Sequence, residues 1–258
     1  VALLERRVAA IGTSSRSSKL IHGGLRYLES YQFSLVRESL AERRTLLRVA
    51  PHLVRLVPFH IPVYRDTSRG PLMIRAGLSL YAALGHLRPS ARFESLPRRA
   101  WDGLDGLETD GLRAVFRYQD GQTDDAALCR AVLASAVELG ALVEVDAEVL
   151  RLEQLASDGR WRAHYRRAGA EESLTARTVI NAAGPWVNRV ASLATPGPPQ
   201  REVDLVGGTH IELEGTLERG IYYTEARADR RAVFSIPWRG RVMVGTTEAP
   251  FNGDPAEV

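Results

Sequence analysis

The alternation of apolar and polar positions separates buried parallel strands from antiparallel ones along this chain. Val1–Leu4 is a short apolar run followed by Glu5, which predicts a buried parallel strand with an acid at its carboxyl end. Thr178–Ala183 is a second apolar run, broken at Gly184-Pro185, and it predicts a central parallel strand. Parallel pieces are therefore expected near the start and in the middle of the chain.

Two longer segments carry the features of helices. Phe33–Val49 repeats its apolar positions at helical spacing and is followed by Pro51, so it predicts an amphipathic helix. Pro71–Leu87 is rich in apolar residues, but it is short for a bilayer and Arg75 interrupts it, so it predicts a buried or interfacial helix. Between them Leu56–Tyr64 predicts a strand at a sheet edge or an irregular segment, because two prolines interrupt it.

The second half of the chain places one helix before a series of strands. Ala114–Asp120 predicts a strand, and Asp124 or Asp125 then caps a helix that runs through Leu139. A meander and further alternating strands follow, at 141–145, 148–154, 161–166, 203–213, 221–224, 232–237 and 242–246. This order fits a discontinuous nucleotide-binding α/β domain (residues 1–52 and 114–190) and a β-rich second domain (residues 53–113 and 191–258).

Composition narrows the class of protein without changing this architecture. The chain has 258 residues, of which 45% are hydrophobic and 25% charged, as in a soluble globular protein. A formal net charge of +3 is too balanced to argue for a nucleic-acid partner, so we expect none. Cys129 is the single cysteine, which excludes an internal disulfide framework, and we expect no metal site.

The two ends of the sequence lead us to expect an internal piece of a longer protein. The chain opens on an apolar run at Val1, without the charged segment and cleavage site of a signal peptide. It stops at Val258, just past a strand-like run and without a closing element. The glycine-rich turn that precedes the first acidic strand end of a dinucleotide-binding unit is expected upstream.

The segment Gly12–Glu29 concentrates the polar chemistry of the chain. It holds hydroxyl side chains, two arginines, the only lysine, a histidine and three glycines. Gly12 and the hydroxyls predict a loop that leads into a helix N-terminus, where free N–H groups favour an anion. His22 and Arg26 are four residues apart and would share one face of a helix. These residues alone leave two interpretations open: a site for a phosphorylated ligand, or a solvated, capped helix start with a basic surface.

The same segment carries a family resemblance. Its sequence, Gly-Thr-Ser-Ser-Arg-Ser-Ser-Lys-Leu-Ile-His-Gly-Gly-Leu-Arg-Tyr-Leu-Glu, closely resembles the signature of FAD-dependent glycerol-3-phosphate dehydrogenases. Residues 118–128 resemble the family's segment before its central helix, and residues 181–186 its second flavin-domain motif. Residues 208–211, 234–238 and 244–248 resemble its substrate-domain strands. The resemblance covers essentially the whole chain.

The resemblance implies a fold and a reaction. The fold is a discontinuous Rossmann-like FAD-binding domain of the amino-acid-oxidase superfamily type with an antiparallel β-rich substrate domain, here truncated at both ends. The reaction oxidises sn-glycerol 3-phosphate to dihydroxyacetone phosphate, with the C2 hydride passing to N5 of FAD and the electrons to a quinone or, in oxidase relatives, to oxygen. It also implies a cytoplasmic protein, peripheral on the inner face of the bacterial membrane, and allows a homodimer.

The cofactor-binding residues are implied by the matching motifs. Glu5 would bind the adenosine ribose and the backbone of Val149 the adenine, while Gly184 would let the main chain approach the cofactor. The hydroxyls would bind the pyrophosphate and ribityl chain, and Leu20 and His22 would lie near the flavin ring. The predicted set is Glu5, Thr13, Ser14, Ser17, Ser18, Lys19, Leu20, His22, Val149 and Gly184.

The substrate-binding residues are assigned on the same resemblance. His22 is the candidate base, because a neutral imidazole can accept the hydroxyl proton; the alternative is a structural, hydrogen-bonded histidine. Arg26 is the candidate ligand for the phosphate or the C2 oxygen, and Tyr27 beside it suits packing more than chemistry. Arg231 matches a second family arginine over the phosphate, and the sequence leaves open whether it or Arg230 points inward.

Two departures from the family pattern keep other functions open. Gly207 stands where family members often carry a lysine, and residues 6–10 are less acidic than usual. One alternative is another FAD-dependent oxidase or dehydrogenase of this superfamily, in which Arg26 and Arg231 would hold the carboxylate of a hydroxy or amino acid. The other is a non-catalytic basic module that binds phosphate-rich partners.

Overall fold

The computed structural model describes residues 1–199 and 202–257, which form helices and strands. The helices are α1 (Phe33–Val49), α2 (Pro71–Leu84), α3 (Asp125–Glu138) and α4 (Val187–Ala191). The first strands are β1 (Ala2–Leu4), β2 (Leu20–Ile21), β3 (Val54–Tyr64), β4 (Phe93–Ser95), β5 (Leu112–Thr123), β6 (Leu142–Glu144), β7 (Glu148–Gln154) and β8 (Trp161–Arg167). The later strands are β9 (Ala170–Ala176), β10 (Ala194–Thr195), β11 (Val206–Gly207), β12 (Ile211–Leu213), β13 (Ile221–Glu225), β14 (Ala232–Trp238), β15 (Arg241–Gly245) and β16 (Ala249–Pro250).

The chain divides into two compact units whose boundaries differ from the predicted domains. Unit 1 comprises Val1–Ser17, Asp125–Gly207 and Ala249–Val258; unit 2 comprises Ser18–Asp124 and Gly208–Glu248. The sequence predicts residues 18–52 and 114–124 in the domain of the first strand, but they lie in unit 2 because β2 and β5 belong to its large sheet. Residues 191–199, 202–207 and 249–257 are predicted in the second domain but lie in unit 1. The cofactor-binding and substrate-binding roles of the two predicted domains stay predictions.

Unit 2 is built on an eight-stranded sheet with the order β12-β15-β14-β13-β3-β5-β2 and β4 paired to β5. The late strands β12 to β15 are antiparallel to one another, as the alternation predicts. The prediction that the strand ending at Tyr64 lies at an edge is wrong, because β3 pairs with β5 along its whole length and with β13 on its other side. Pairing with β13 covers only Phe59 and His60, so the missing N–H groups of Pro58 and Pro62 fall outside that ladder.

The core of unit 2 lies between this sheet and the helices α1 and α2. α1 buries Val36, Leu40 and Arg43, which recur at helical spacing on one face. α2 buries the face that carries Leu78 and Tyr81 and leaves its opposite face exposed. Both predicted helices are thus present as amphipathic elements packed on a sheet. No helix among the described residues combines the length and apolar character that crossing a bilayer requires.

Unit 1 contains a parallel pair, β1 with β6, and a sheet with the order β10-β7-β8-β9. The parallel strand predicted at the start of the chain is confirmed by this pairing, but its predicted burial is wrong: Ala2 and Leu3 are exposed and Leu4 is half-buried. The strand predicted at Thr178–Ala183 is wrong: the segment is irregular, and Ile180 is 85% exposed. A parallel strand needs a neighbour that supplies matching N–H and C=O groups, and within the described residues no strand pairs with this segment.

Candidate functional site

The polar segment Gly12–Glu29 is divided between the two units, with residues 12–17 in unit 1 and 18–29 in unit 2. It forms a 3-10 turn at Thr13–Ser15, strand β2, and a second 3-10 turn at Leu25–Leu28. Both helical predictions for it are therefore wrong: no α-helix occupies these described residues, and the His22–Arg26 spacing is not a helical one. Gly24 adopts a left-handed φ of 75° between the two residues, a conformation that interrupts helical geometry.

The hydroxyl residues of unit 1 differ in how they are engaged. Thr13 and Ser14 are exposed on the first 3-10 turn. Ser17 instead bonds to the start of α3: its N–H and hydroxyl donate to Oδ2 of Asp125 at 3.1 and 2.7 Å. A serine has one hydroxyl proton, so donation from Ser17 to a phosphate would require this bond to open. Thr13 and Ser14 are the hydroxyls that can donate without such a change.

Three other predicted cofactor residues also lie in unit 1. Glu5 follows β1, and its backbone is fixed because its N–H donates to Glu144 and its C=O accepts from Ala147, both at 2.9 Å. Val149 lies in β7 next to a register shift, and Gly184 has a φ of 54° with open space where a Cβ would stand. A carboxylate at the carboxyl end of a parallel strand and exposed hydroxyls are the groups that bind a ribose and a phosphate, so the chemistry of unit 1 fits these parts of FAD.

In unit 2 the segment begins with Ser18 and Lys19, whose side chains contact other residues of the same unit. Ser18 Oγ is 3.0 Å from Nε2 of His210. Lys19 is 8% exposed, and its ammonium lies 5.6 Å from the ring centre of Trp238, a cation–π arrangement. Burial and the nearby Lys19 charge lower the pKa of His210. A buried lysine thus lies directly before β2.

His22 follows β2 and is exposed, while the residue after it is anchored in the core. Leu20 pairs with β5, and the Gly23 N–H donates to both carboxylate oxygens of Asp120 at 3.0 and 3.1 Å. The ring of Tyr27 lies 6.4 Å from the His22 ring, tilted by 46°. An exposed imidazole is therefore held on a main chain that a buried carboxylate fixes.

Arg26 lies beside a cluster of charged residues and a tyrosine. Its guanidinium is exposed. Burial raises the pKa of the nearby Tyr223, and the positive charges of Arg69 and Arg26 oppose this rise without cancelling it. Arg69 donates to both oxygens of Glu29, Nε at 2.5 Å and Nη2 at 2.8 Å, and its Nη1 lies 3.3 Å from Glu225. Arg69 is therefore engaged by carboxylates, whereas Arg26 faces solvent.

Arg69, Tyr223 and Glu225 are members of this site that the sequence patterns did not identify. Arg69 and Glu225 are separated by 156 positions, so no short motif contains both. Burial raises the pKa of Glu225, but hydrogen bonds from Ser68 and Arg230 outweigh it and lower the pKa below its ordinary value. A glutamate that ends a strand of mainly apolar and aromatic residues is the one local signal that could have singled it out.

The two arginines that the sequence left undecided have different partners. Arg230 donates to Oε1 of Glu225 at 3.1 Å and to the carbonyl of Asp66, and it lines a cavity of about 170 Å³. Arg231 pairs with its neighbour Asp229 at 3.4 Å. Arg230 is thus joined to the cluster through Glu225, and a substrate contact from Arg231 stays a prediction.

Comparison with known proteins gives matches along the whole chain. The profile of the FAD dependent oxidoreductase family matches residues 1–258. The glycerol-3-phosphate dehydrogenase of Pseudomonas aeruginosa is 41% identical over 263 residues, covering 100% of this chain and 49% of that protein. The D-erythritol 1-phosphate dehydrogenase of Brucella abortus is 36% identical over 263 residues, covering 100% of this chain and 51% of that protein. The chain spans about half the length of the curated relatives it matches.

A solved structure supports the same fold. The glycerol-3-phosphate dehydrogenase of Bacillus halodurans, solved in complex with FAD, superposes with a TM-score of 0.70 at 22% identity. The match covers 99% of this chain and 44% of that one. At this identity the likeness bears on the fold alone, and together with the family match it confirms the predicted α/β fold class.

Proposed function

The chain belongs to the FAD dependent oxidoreductase family, and from this premise we propose that it supplies cofactor-binding and substrate-binding residues of an enzyme that oxidises sn-glycerol 3-phosphate to dihydroxyacetone phosphate. The observation that carries the proposal is an exposed imidazole, His22, and an exposed guanidinium, Arg26, flanking a Gly-Gly turn anchored in unit 2. An imidazole removes a hydroxyl proton and a guanidinium binds a phosphate. The similarity to glycerol-3-phosphate dehydrogenases along the whole chain supports this substrate.

The residues of unit 1 suit the adenosine and phosphate parts of the cofactor. Bound FAD supplies the acceptor for the hydride. The Glu5 carboxylate accepts hydrogen bonds from the ribose hydroxyls, and the Thr13 and Ser14 hydroxyls donate to phosphate oxygens. The role of these residues is to bind and orient.

His22 accepts the proton of the C2 hydroxyl. A neutral imidazole does this near neutral pH, and removal of the proton increases the electron density on the C2 oxygen, which makes hydride loss from C2 easier. The Gly23 N–H bond to Asp120 limits where the His22 main chain can lie. The neighbouring Tyr27 ring restricts the imidazole on one side.

Arg26 binds the substrate phosphate. A guanidinium donates two parallel hydrogen bonds to phosphate oxygens, and Arg26 is exposed and able to do so. Arg69 already donates hydrogen bonds to Glu29 and Glu225. It therefore contributes positive charge near the substrate phosphate, whereas Arg26 contributes the hydrogen bonds. Arg26 is thus the arginine that binds the phosphate, and Arg69 supports it.

Electron transfer to a quinone and contact with a membrane surface complete the proposal. On α2, Leu72, Met73 and Leu80 are 83, 58 and 40% exposed and form an apolar stripe opposite the buried face. A cavity of about 710 Å³ at the start of this helix is lined by Arg65, Pro71, Arg98, Leu112 and Arg113. An apolar stripe next to arginines suits the surface of an anionic bilayer, in whose hydrocarbon interior quinones dissolve. A homodimer stays a prediction.

Vesicle sedimentation of the complete natural gene product tests the membrane contact. Vesicles of phosphatidylglycerol and phosphatidylcholine should bind more protein than phosphatidylcholine alone, and Met73→Ser with Leu80→Ser should reduce the bound fraction. Ile211→Ser is the matched control, because Ile211 is an exposed apolar residue on another element of unit 2. Equal binding by the double variant and the wild type would contradict the assignment.

Steady-state kinetics of the complete natural gene product, supplied with FAD, test the reaction. The substrates are glycerol 3-phosphate, D-erythritol 1-phosphate, lactate, glycine and 2-hydroxyglutarate, with a quinone analogue or oxygen as acceptor. We expect the highest kcat/KM for glycerol 3-phosphate with the quinone. A preference for D-erythritol 1-phosphate would support the proposed oxidation but assign it a different substrate. A preference for a hydroxy or amino acid, or salt-sensitive polyanion binding without flavin, would contradict the proposal.

A further inference from the structure

A buried ion pair lies under the His22–Gly23 turn of unit 2. Arg43 of α1 and Asp120 of β5 are each 1% exposed, and Nη1 of Arg43 lies 2.5 Å from Oδ1 of Asp120. Two charges have been removed from water here, which costs free energy that their attraction only partly offsets. Replacing such a pair by apolar residues of similar volume is often neutral or stabilising, so stability alone does not account for it.

The Asp120 carboxylate connects separate elements of the unit. It accepts hydrogen bonds from Arg43, from the Tyr81 hydroxyl of α2 at 3.1 Å, and from the N–H groups of Gly23 and Gly121. Arg43 in turn donates to the carbonyls of Gln119 and Ser90. The charge thus lets one buried side chain hold α1, α2, β5 and the Gly23 turn together.

The bond to Gly23 acts directly on His22. The Gly23 N–H belongs to the peptide group that joins Gly23 to His22, and a peptide group is planar. Fixing the direction of this N–H therefore fixes the carbonyl and the Cα of His22, from which the imidazole projects. The position of Gly23 is also limited by packing, since a Cβ on it would lie 2.1 Å from the Tyr81 hydroxyl oxygen and 2.5 Å from Cδ2 of Leu40.

From this geometry we infer that Asp120, paired with Arg43, is a positioning residue: it orients His22 through the His22–Gly23 peptide and does not contact substrate. The inference rests on the proposed function, because it gives His22 the role of base. A misplacement of a catalytic group by about 1 Å costs roughly 100-fold in rate. Loss of the Asp120 anchor should therefore lower kcat by that order and leave KM nearly unchanged.

The test uses the complete natural gene product carrying Arg43→Met with Asp120→Leu. This double variant removes the anchor without leaving a buried charge unpaired, so it is expected to fold. Arg43→Gln with Asp120→Asn restores a neutral acceptor for the Gly23 N–H and should recover most of kcat. Arg117→Gln with Glu94→Gln is the control, because it removes an exposed ion pair that involves the same strand, β5.

Two readouts separate the inference from the proposed function. Amide hydrogen exchange of residues 20–28 should become about tenfold faster or more in the apolar double variant, the equivalent of one lost charge-assisted hydrogen bond, while β3 and β5 keep their protection. Faster exchange, a kcat lowered roughly 100-fold and recovery by the amide pair would support the inference.

Unchanged exchange would overturn the inference whatever the substrate is. Faster exchange with unchanged kcat would overturn it as well, since His22 would then not depend on the anchor. A wild-type protein without activity on glycerol 3-phosphate would instead refute the proposed function, and the exchange of residues 20–28 would still decide whether Asp120 anchors the turn.

Discussion

Replacing Gly23 by alanine should destabilise unit 2 strongly for so small a change. The added Cβ would lie 2.1 Å from the Tyr81 hydroxyl oxygen and 2.5 Å from Cδ2 of Leu40, distances that no carbon atom tolerates. The Tyr81 hydroxyl cannot easily yield, because it donates to Asp120 and accepts from Arg43. Relief must come from a shift of the turn itself, which lengthens the Gly23 bond to Asp120.

The expected cost of Gly23→Ala follows from these two effects. Overpacking of a dense core costs about 1–3 kcal/mol, and weakening a hydrogen bond to a charged group costs about 1.5–3 kcal/mol. We therefore expect the free energy of unfolding to fall by about 3–5 kcal/mol. Urea unfolding at fixed pH, followed by tryptophan fluorescence, measures it.

The control for this experiment is Gly77→Ala on α2. A Cβ on Gly77 meets nothing within 4 Å, and alanine in a helix interior is favoured over glycine by about 0.5–1 kcal/mol, so this variant should be slightly more stable. Gly23→Ala with an unfolding free energy within about 0.5 kcal/mol of wild type would refute the packing argument.

Two further predictions concern charge. Burial lowers the pKa of His60 from 6.5 to about 4, so the folded state favours the neutral ring. The stability that this preference contributes is fully present above pH 6.5 and is lost as the pH falls through 4. Wild type should lose about 3 kcal/mol more than His60→Leu between pH 7 and pH 4 in urea titrations; parallel losses would contradict this. Arg26→Met should raise KM for glycerol 3-phosphate by about 10–100-fold with a smaller effect on kcat. Arg26→Lys should bring KM part of the way back to the wild-type value, and an unchanged KM in Arg26→Met would exclude Arg26 from phosphate binding.

Elements with strong local signals could be predicted from the sequence. The bounds of α1 agree with the predicted Phe33–Val49, because the periodicity is regular and Pro51 follows closely. The strand predicted at Thr178–Ala183 is absent from the described structure, because an apolar run becomes a strand only when a neighbouring strand pairs with it. Regular periodicity followed by a proline is thus sufficient for α1, whereas a short apolar run predicts the parallel strand β1 correctly and fails at Thr178–Ala183.

The residues of the candidate site also differ in how far the sequence alone reveals them. One continuous motif is enough to propose His22 and Arg26 as candidates, since their chemistry and the glycines between them are adjacent in sequence. Asp120 was assigned only as the end of a strand, because its partners Arg43 and Gly23 are 77 and 97 positions away. Arg69 and Glu225 were not identified for the same reason. Contacts that depend on tertiary packing leave no short-range pattern.

The reduction of bound flavin by glycerol 3-phosphate, followed in a single turnover under anaerobic conditions, tests the central claim most directly. The complete natural gene product should lose the absorbance of oxidised flavin when glycerol 3-phosphate is added. His22→Asn should retain bound flavin but be reduced roughly 100-fold or more slowly, as expected for loss of a general base. Reduction of His22→Asn at the wild-type rate, or no reduction of the wild type by glycerol 3-phosphate, would contradict the account.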